Sequence, residues 1–235
     1  MKFVDPDGQD VVYFDNNAKE IGRISSNQRF ETYYRSAQGT VTSEMSGMKG
    51  AFMQATMPGV IAGYENPKYQ QLDYQIAAST AIMNDKLETL SGLPTTANHQ
   101  FTENSQTPNL DVNLVKSMIM EESKMGTATG GAGTAKTDPM QANNPGDFNA
   151  AKDVKTAVGL TKGQSMNAQI SINAGLGIFV LKGMKSDSNG NYTQWRGNQS
   201  AVQKYNGGGN PNYAVDVTKY YNSITPAKPS NYVTQ

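Results

Sequence analysis

The sequence contains no cysteine and a single histidine, His99. Without cysteine there can be no disulfide, thiolate nucleophile or cysteine-based metal site. One histidine with no nucleophile-elbow motif argues against both a Ser-His-Asp triad and a histidine zinc site, so we expect His99 to lie on the surface or in a loop. Carboxylates remain as the groups that can carry chemistry, and we expect neither a metal nor a cofactor.

An excess of charge of one sign is also missing. The 20 Lys+Arg residues balance the 20 Asp+Glu residues, which argues against a nucleic-acid partner or a nuclease. No apolar run approaches the length of a membrane span, and residues 1–20 contain no signal-peptide core. We therefore expect no membrane span and no cleaved signal peptide. The mean hydropathy of −0.59 comes with only 17% charged residues, so uncharged polar side chains dominate, as suits a carbohydrate-binding groove or a loop-rich secreted protein.

The first 35 residues have a β-like pattern. Apolar segments 11–14 and 20–24 flank a turn-rich stretch and predict a hairpin, and residues 29–34 are a candidate third strand. Residues 36–105 are predicted to be an extension or linker with one long helix over 67–91. No regular structure is predicted for residues 36–65, whose periodicity is weak.

Residues 106–225 are predicted to form an all-helical domain, followed by a tail over 226–235. Asp111 can cap a helix whose apolar face, at spacings of three and four residues, leads to Glu122. Further helices are predicted over 149–158, 167–181, 199–205 and 212–224. The predicted fold class is therefore mainly α, with a short β-containing N-terminal extension.

Glu122 is the strongest candidate for chemistry. It follows Val115, Met118 and Ile119 on one helix face and precedes a low-complexity, flexible Gly/Ala-rich segment over 126–137. Partial burial there would raise its pKa, as a general acid requires. The plain alternative is a solvated glutamate at a helix end. Glu122 is preferred to Glu121 because it shares the apolar face and stands directly before a serine.

Four segments in order resemble the soluble lytic transglycosylase and goose-type lysozyme superfamily. They are Glu122-Ser123, Met140-Gln141, the Ala-x-x-x-Tyr-Asn-x-Gly element over 201–208, and the Tyr-Ala-x-x-Val-x-x-Tyr helix over 213–220. The resemblance implies a lysozyme-like, two-lobed helical domain that cuts the MurNAc–GlcNAc β-1,4 bond of peptidoglycan. The chain departs from the family at Asp138-Pro139, where Gly-Leu is usual, and matches the family's Asn-Ile-x-x-Gly helix only partly over 171–175.

Roles follow from the resemblance position by position. Glu122 matches the catalytic acid of the family. The expected substrate-binding residues are Ser123, Met140, Gln141, Asn143, Tyr205 and Asn206. Tyr205 has a competing interpretation as a core tyrosine of a late helix.

A second carboxylate decides between two mechanisms. A lytic transglycosylase needs one acid, because the C6 hydroxyl of muramic acid attacks, whereas a hydrolase uses a second carboxylate to activate water or stabilise the oxocarbenium ion. Asp138 and Asp147 are both candidates for that catalytic role. Alternatively, Asp138 anchors its loop and Asp147 caps the next helix.

The N-terminus carries a second resemblance. Asp5-Pro6-Asp7-Gly8 is similar to the end of an Rhs-repeat core, where the chain passes into a variable toxin. This implies the toxin tip of a type VI secretion effector, carried by the Rhs shell and secretion machinery. It would be made in the cytoplasm, act in the periplasm of target bacteria and be blocked by an immunity protein. The rival hypothesis is a non-catalytic lysozyme-fold binding or adaptor module of a secretion apparatus.

Overall fold

The computed structural model describes residues 11–24, 31–35, 52–129 and 134–226, so the motif at residues 5–8 lies outside the described residues. The described residues form six α-helices and eight strands, the strands lying in three small sheets. The expectation of a mainly α, lysozyme-like helical fold is wrong. With 40% helix and 15% strand, the fold is mixed α/β.

The largest sheet has four strands in the order β2-β1-β3-β4. Their bounds are Val11–Phe14 (β1), Glu20–Ile24 (β2), Glu31–Arg35 (β3) and Phe52–Ala55 (β4). The predicted β1–β2 hairpin is confirmed, and Asp15 closes its turn by accepting from the backbone N–H groups of Asn17 and Lys19. β3 pairs with β1 in parallel and with β4 antiparallel. β4 lies where no regular structure was expected.

The first long helix is a layer shared by two cores. A 3₁₀ turn over Pro67–Tyr69, capped by Asn66, precedes α1 (Asp73–Thr89). One side of α1 packs against the four-stranded sheet through Ala77, Ala78 and Ile82. The other side packs into the main helical core through Ile76, Met83 and Leu87. Burial on two sides explains why its sequence lacks one clean apolar stripe.

The remaining helices are close to their predicted positions. Their bounds are Val112–Ser123 (α2), Lys152–Ala157 (α3, after a 3₁₀ turn over Asn149–Ala151), Ala168–Gly183 (α4), Asn198–Tyr205 (α5) and Tyr213–Asn222 (α6). Asp111 caps α2 as predicted, accepting from the Asn113 N–H at 2.8 Å. α4 is buried along most of its length and packs against α1, α3 and α5, so it forms the centre of the helical layer.

Two short antiparallel sheets place strands β6, β7 and β8 in the region that was expected to be all helical, and β5 where no regular structure was expected. β5 (Val60–Ile61) pairs with β8 (Ile224–Thr225), and β6 (Met184–Ser186) pairs with β7 (Tyr192–Trp195). Gly59 allows the first pairing, because a Cβ added there would lie 2.3 Å from the Thr225 carbonyl oxygen.

A buried lysine holds α2 in place. Lys116 Nζ donates to the Gly59 carbonyl at 2.8 Å, to Gln70 Oε1 at 2.5 Å and to Asp73 Oδ2 at 2.7 Å. Burial lowers the pKa of Lys116, while the Asp73 carboxylate opposes that shift. The cluster joins the β5 segment and the start of α1 to α2, and so fixes the helix that carries Glu122.

Residues 93–110 run alongside β7. Gln100 and Gln106 form isolated bridges with Asn191 and Gln194. The domain boundaries expected near residues 35, 105 and 225 stay predictions. Over the described ranges, no helix has both the length and the apolar character that crossing a membrane requires.

Candidate active site

A cleft of about 330 Å³ lies where the end of α2, the turn over 140–144, the last turns of α4 and the end of α5 meet. Several of the residues singled out from the sequence line it together, namely Glu122, Met140, Gln141, Asp147, Tyr205 and Asn206. Asp138, Ser123 and Asn143 are buried and do not line it. The Gly/Ala-rich segment contributes Ala128, Thr134 and Ala135 to the wall.

The chain turns sharply after Glu122. Lys124 and Met125 have φ of 50° and 58°, and Gly126 follows with φ of 78°, so the backbone reverses through the left-handed region. Ser123 holds this turn, because its hydroxyl donates to the Ile119 carbonyl at 3.1 Å and accepts from the Gly126 N–H at 2.9 Å. Ser123 therefore shapes the end of α2.

The carboxyl group of Glu122 is strongly perturbed. Burial raises its pKa from 4.5 to about 7, and the charges of Glu121 and Asp138 act in the same direction. Tyr213 and Lys182 act against the shift. The Tyr213 hydroxyl is itself buried and interacts with the Glu122 carboxyl group, although this contact falls outside normal hydrogen-bond geometry. A carboxyl group with this pKa is partly protonated at neutral pH, which is the state of a proton donor.

Asp138 anchors the turn that carries Met140 and Gln141. One carboxylate oxygen accepts from the Ala142 N–H at 2.8 Å and from the Ser171 hydroxyl at 2.6 Å. The other accepts from the Asn143 N–H at 2.9 Å. Both oxygens of this 2% exposed side chain are therefore engaged.

Asn143 joins its own turn to the loop over residues 161–164. Its side-chain amide donates to the carbonyls of Thr161 and Gln164 at 3.1 and 3.3 Å. This places the Asn143 side chain between two loops and away from the cleft lining.

Met140 and Tyr205 form the floor of the cleft. The Tyr205 hydroxyl donates to the Met140 carbonyl at 2.6 Å, and burial raises the pKa of Tyr205 well above its usual value. The Met140 side chain lies against Gly175 of α4, where an added Cβ would meet its Sδ at 2.6 Å. Asn206 continues the floor and donates to the Asn210 carbonyl at 3.0 Å.

Asp147 lines the cleft as part of an ion pair. Its carboxylate accepts from the ammonium of Lys155. The Asp147 side chain is 56% exposed whereas that of Lys155 is only 3% exposed, so the pair spans the wall from solvent to interior. Asp147 is therefore the one of the two candidate second carboxylates that reaches the cleft, and its side chain binds Lys155 instead of capping the next helix.

The sequence prediction did not include the two lysines of this site. Lys155 lies on α3, and Lys182 lies on α4 four residues after Ile178, which also lines the cleft. Lys182 Nζ donates to the Tyr205 carbonyl at 2.9 Å. Burial lowers the pKa of Lys182, against the opposing effect of the Asp147 carboxylate. The spacing from Ile178 was the sequence signal that could have identified Lys182, because i and i+4 share a helix face.

Neither family models, nor curated proteins, nor solved structures give a match to this chain. The resemblance to lytic transglycosylases and goose-type lysozymes is thus carried by the motifs alone and stays a prediction. Over the described residues, no group of three His, Asp or Glu side chains is placed to hold a metal ion.

Proposed function

We propose that this protein cleaves the MurNAc–GlcNAc β-1,4 bond of peptidoglycan with Glu122 as general acid. The observation that carries the proposal is a half-buried carboxyl group with a pKa of about 7 on the wall of a polar cleft. Met140, Gln141, Tyr205 and Asn206 line the same cleft, and these residues carry the family resemblance.

The proposed reaction begins with proton transfer. Protonated Glu122 gives its proton to the glycosidic oxygen as the bond from that oxygen to the anomeric carbon breaks, so one sugar leaves as an alcohol. Positive charge develops on the other sugar. Either water or the C6 hydroxyl of the muramic acid then attacks the anomeric carbon, and Glu122 takes back a proton from the attacking oxygen.

The second carboxylate in this scheme is Asp147. Its carboxylate is held by Lys155 on the cleft wall, where it can stabilise the developing positive charge or orient a water molecule. Asp138 supports the reaction indirectly, because its hydrogen bonds hold the turn that presents Met140 and Gln141.

The N-terminal resemblance adds a biological role to the proposal. We propose a toxin delivered by an Rhs shell and its secretion machinery into the periplasm of target bacteria. A cognate immunity protein would protect the producer, and covering the cleft at Glu122 is the simplest way to do so.

The test is turbidity loss of purified peptidoglycan. Wild type should clear the suspension, Glu122→Gln should be inactive, and Glu121→Gln should remain active because Glu121 does not line the cleft. Equal behaviour of wild type and Glu122→Gln would refute the proposal. Mass spectrometry of the products then separates anhydro-muropeptides, which indicate transglycosylation, from reducing ends, which indicate hydrolysis.

A further inference from the structure

Among the described residues, the charged side chains that line the cleft balance one another only while Glu122 is ionised. They are Glu122, Asp147, Lys155 and Lys182. Asp147 and Lys155 neutralise each other as an ion pair. Lys182 forms no ion pair with any acidic side chain in the described ranges, and its partner is the Tyr205 carbonyl. When Glu122 carries its proton, the cleft therefore keeps one positive charge, located at Lys182.

The ammonium of Lys182 is placed to meet a ligand. It projects from the last turn of α4 towards the C-terminal end of α5, where the Tyr205 carbonyl accepts one of its three N–H bonds at 2.9 Å. The side chain is half-buried, so the charge is only partly screened by water. Gly207 lies beside this ammonium and has no side chain; a Cβ added there would come into contact with Lys182 Nζ at 3.9 Å.

We propose that Lys182 determines specificity by binding a carboxylate carried by the substrate. The cleft would then prefer an acidic glycan to neutral poly-N-acetylglucosamine. This inference rests on the proposed function and names which feature of the glycan is recognised. The carboxylate is either the free lactyl group of a muramic acid or the terminal carboxyl of a peptide attached to it, and both have the same chemistry for an ammonium.

Lys155 is the natural comparison. It is nearly inaccessible and already has an acidic partner, so a substrate carboxylate would have to displace Asp147 to reach it. Lys182 requires no such exchange. A charge-assisted hydrogen bond of this kind changes affinity by about tenfold or more.

Binding is measured by titration calorimetry in the Glu122→Gln background, which prevents turnover and keeps residue 122 neutral. The probes are N-acetylchitobiose, the MurNAc–GlcNAc disaccharide with a free lactyl carboxyl, and the same disaccharide carrying a dipeptide. We expect at least one acidic probe to bind about tenfold more tightly than chitobiose. The acidic probe that gains affinity identifies which carboxylate is bound.

Variants at position 182 decide the matter. Lys182→Met should bring the acidic probe down to the affinity of chitobiose, and Lys182→Arg, which keeps the charge, should retain most of the preference. Lys185→Met is the matched control, since Lys185 is exposed on β6 and does not line the cleft. Circular dichroism establishes that each variant is folded. If Lys182→Met does not fold, the ratio of the affinities for the acidic probe and chitobiose is measured in Lys182→Gln instead.

An unchanged ratio of affinities in the folded Lys182 variant overturns the inference, as does equal binding of all three probes by the parent protein. Cleavage of peptidoglycan by wild type is scored separately. A Lys182-dependent preference without any cleavage would refute the enzymatic proposal and leave this inference standing. Cleavage by wild type, together with an affinity ratio that does not depend on Lys182, would support the enzymatic proposal and refute this inference.

Discussion

Burial of Glu122 makes the stability of the fold depend on pH. Its pKa is 4.5 in an ordinary setting and about 7 in the folded protein. Between these two pH values the folded state holds a proton that the unfolded chain has released, so the free energy of unfolding decreases as pH rises. The difference corresponds to at most about 3.5 kcal/mol, at about 1.4 kcal/mol per pH unit.

Glu122→Gln should abolish this dependence. The amide has nearly the same shape and is neutral at every pH, so no charge is buried when the pH passes 7. We expect the variant to match wild type below about pH 4.5 and to exceed it by up to about 3.5 kcal/mol at pH 8, while peptidoglycan cleavage is lost. The Glu122 carboxyl group would then destabilise the fold at high pH and also supply the proton for bond cleavage.

The measurement is urea unfolding followed by circular dichroism between pH 4 and 8.5. Glu121→Gln serves as the control, because Glu121 pairs with Lys124 at 3.5 Å outside the cleft. Its removal should lower the pKa of Glu122 slightly and preserve most of the slope. Parallel pH curves for wild type and Glu122→Gln would show that residue 122 titrates near its ordinary value, and the reasoning would fail.

Three further predictions concern the groups around the site. Tyr213→Phe removes a hydroxyl that lowers the pKa of Glu122, so the alkaline limb of the pH–activity profile should move to higher pH; an unmoved limb contradicts this. Lys116→Met leaves the buried Asp73 without its cation and should cost about 3–5 kcal/mol in urea unfolding, and a loss below about 1 kcal/mol would show that the pair is not needed. Asp138→Asn sets an amide N–H against backbone donors and should cost about 1–3 kcal/mol. An inactive Asp138→Asn with wild-type stability would instead indicate a direct role in catalysis.

Local signals predicted the helices well. The Asp111 cap placed the start of α2, and the spacing of apolar residues placed α2 and α4 nearly correctly, because both signals depend on neighbours within a few residues. β5 and β8 could not be found this way. Their pairing joins residues 60–61 to 224–225, and neither two-residue segment has a pattern of its own. The error in fold class comes partly from this pairing between distant segments and partly from the β6–β7 pair, whose strands are close in sequence but short.

The candidate site was predicted in part for a related reason. Motifs supply residue types in order, but the direction of each side chain depends on the turns between them. Ser123 follows Glu122 directly, yet the left-handed turn over residues 124–126 recruits its hydroxyl. Asp138 and Asn143 belong to a tight turn whose buried N–H groups need acceptors, and this requirement draws the carboxylate inward.

Asp147 shows why side-chain pairing must be known before a role is tested. Its partner Lys155 is only 3% exposed, so removing the Asp147 carboxylate alone leaves a buried ammonium without its acid. Such a change destabilises the cleft whether or not Asp147 takes part in the reaction. Neutralising Lys155 together with Asp147 removes that cost. The choice between water and the C6 hydroxyl as nucleophile must therefore be judged from the products of the paired variant, where a catalytic loss and a structural loss are no longer the same observation.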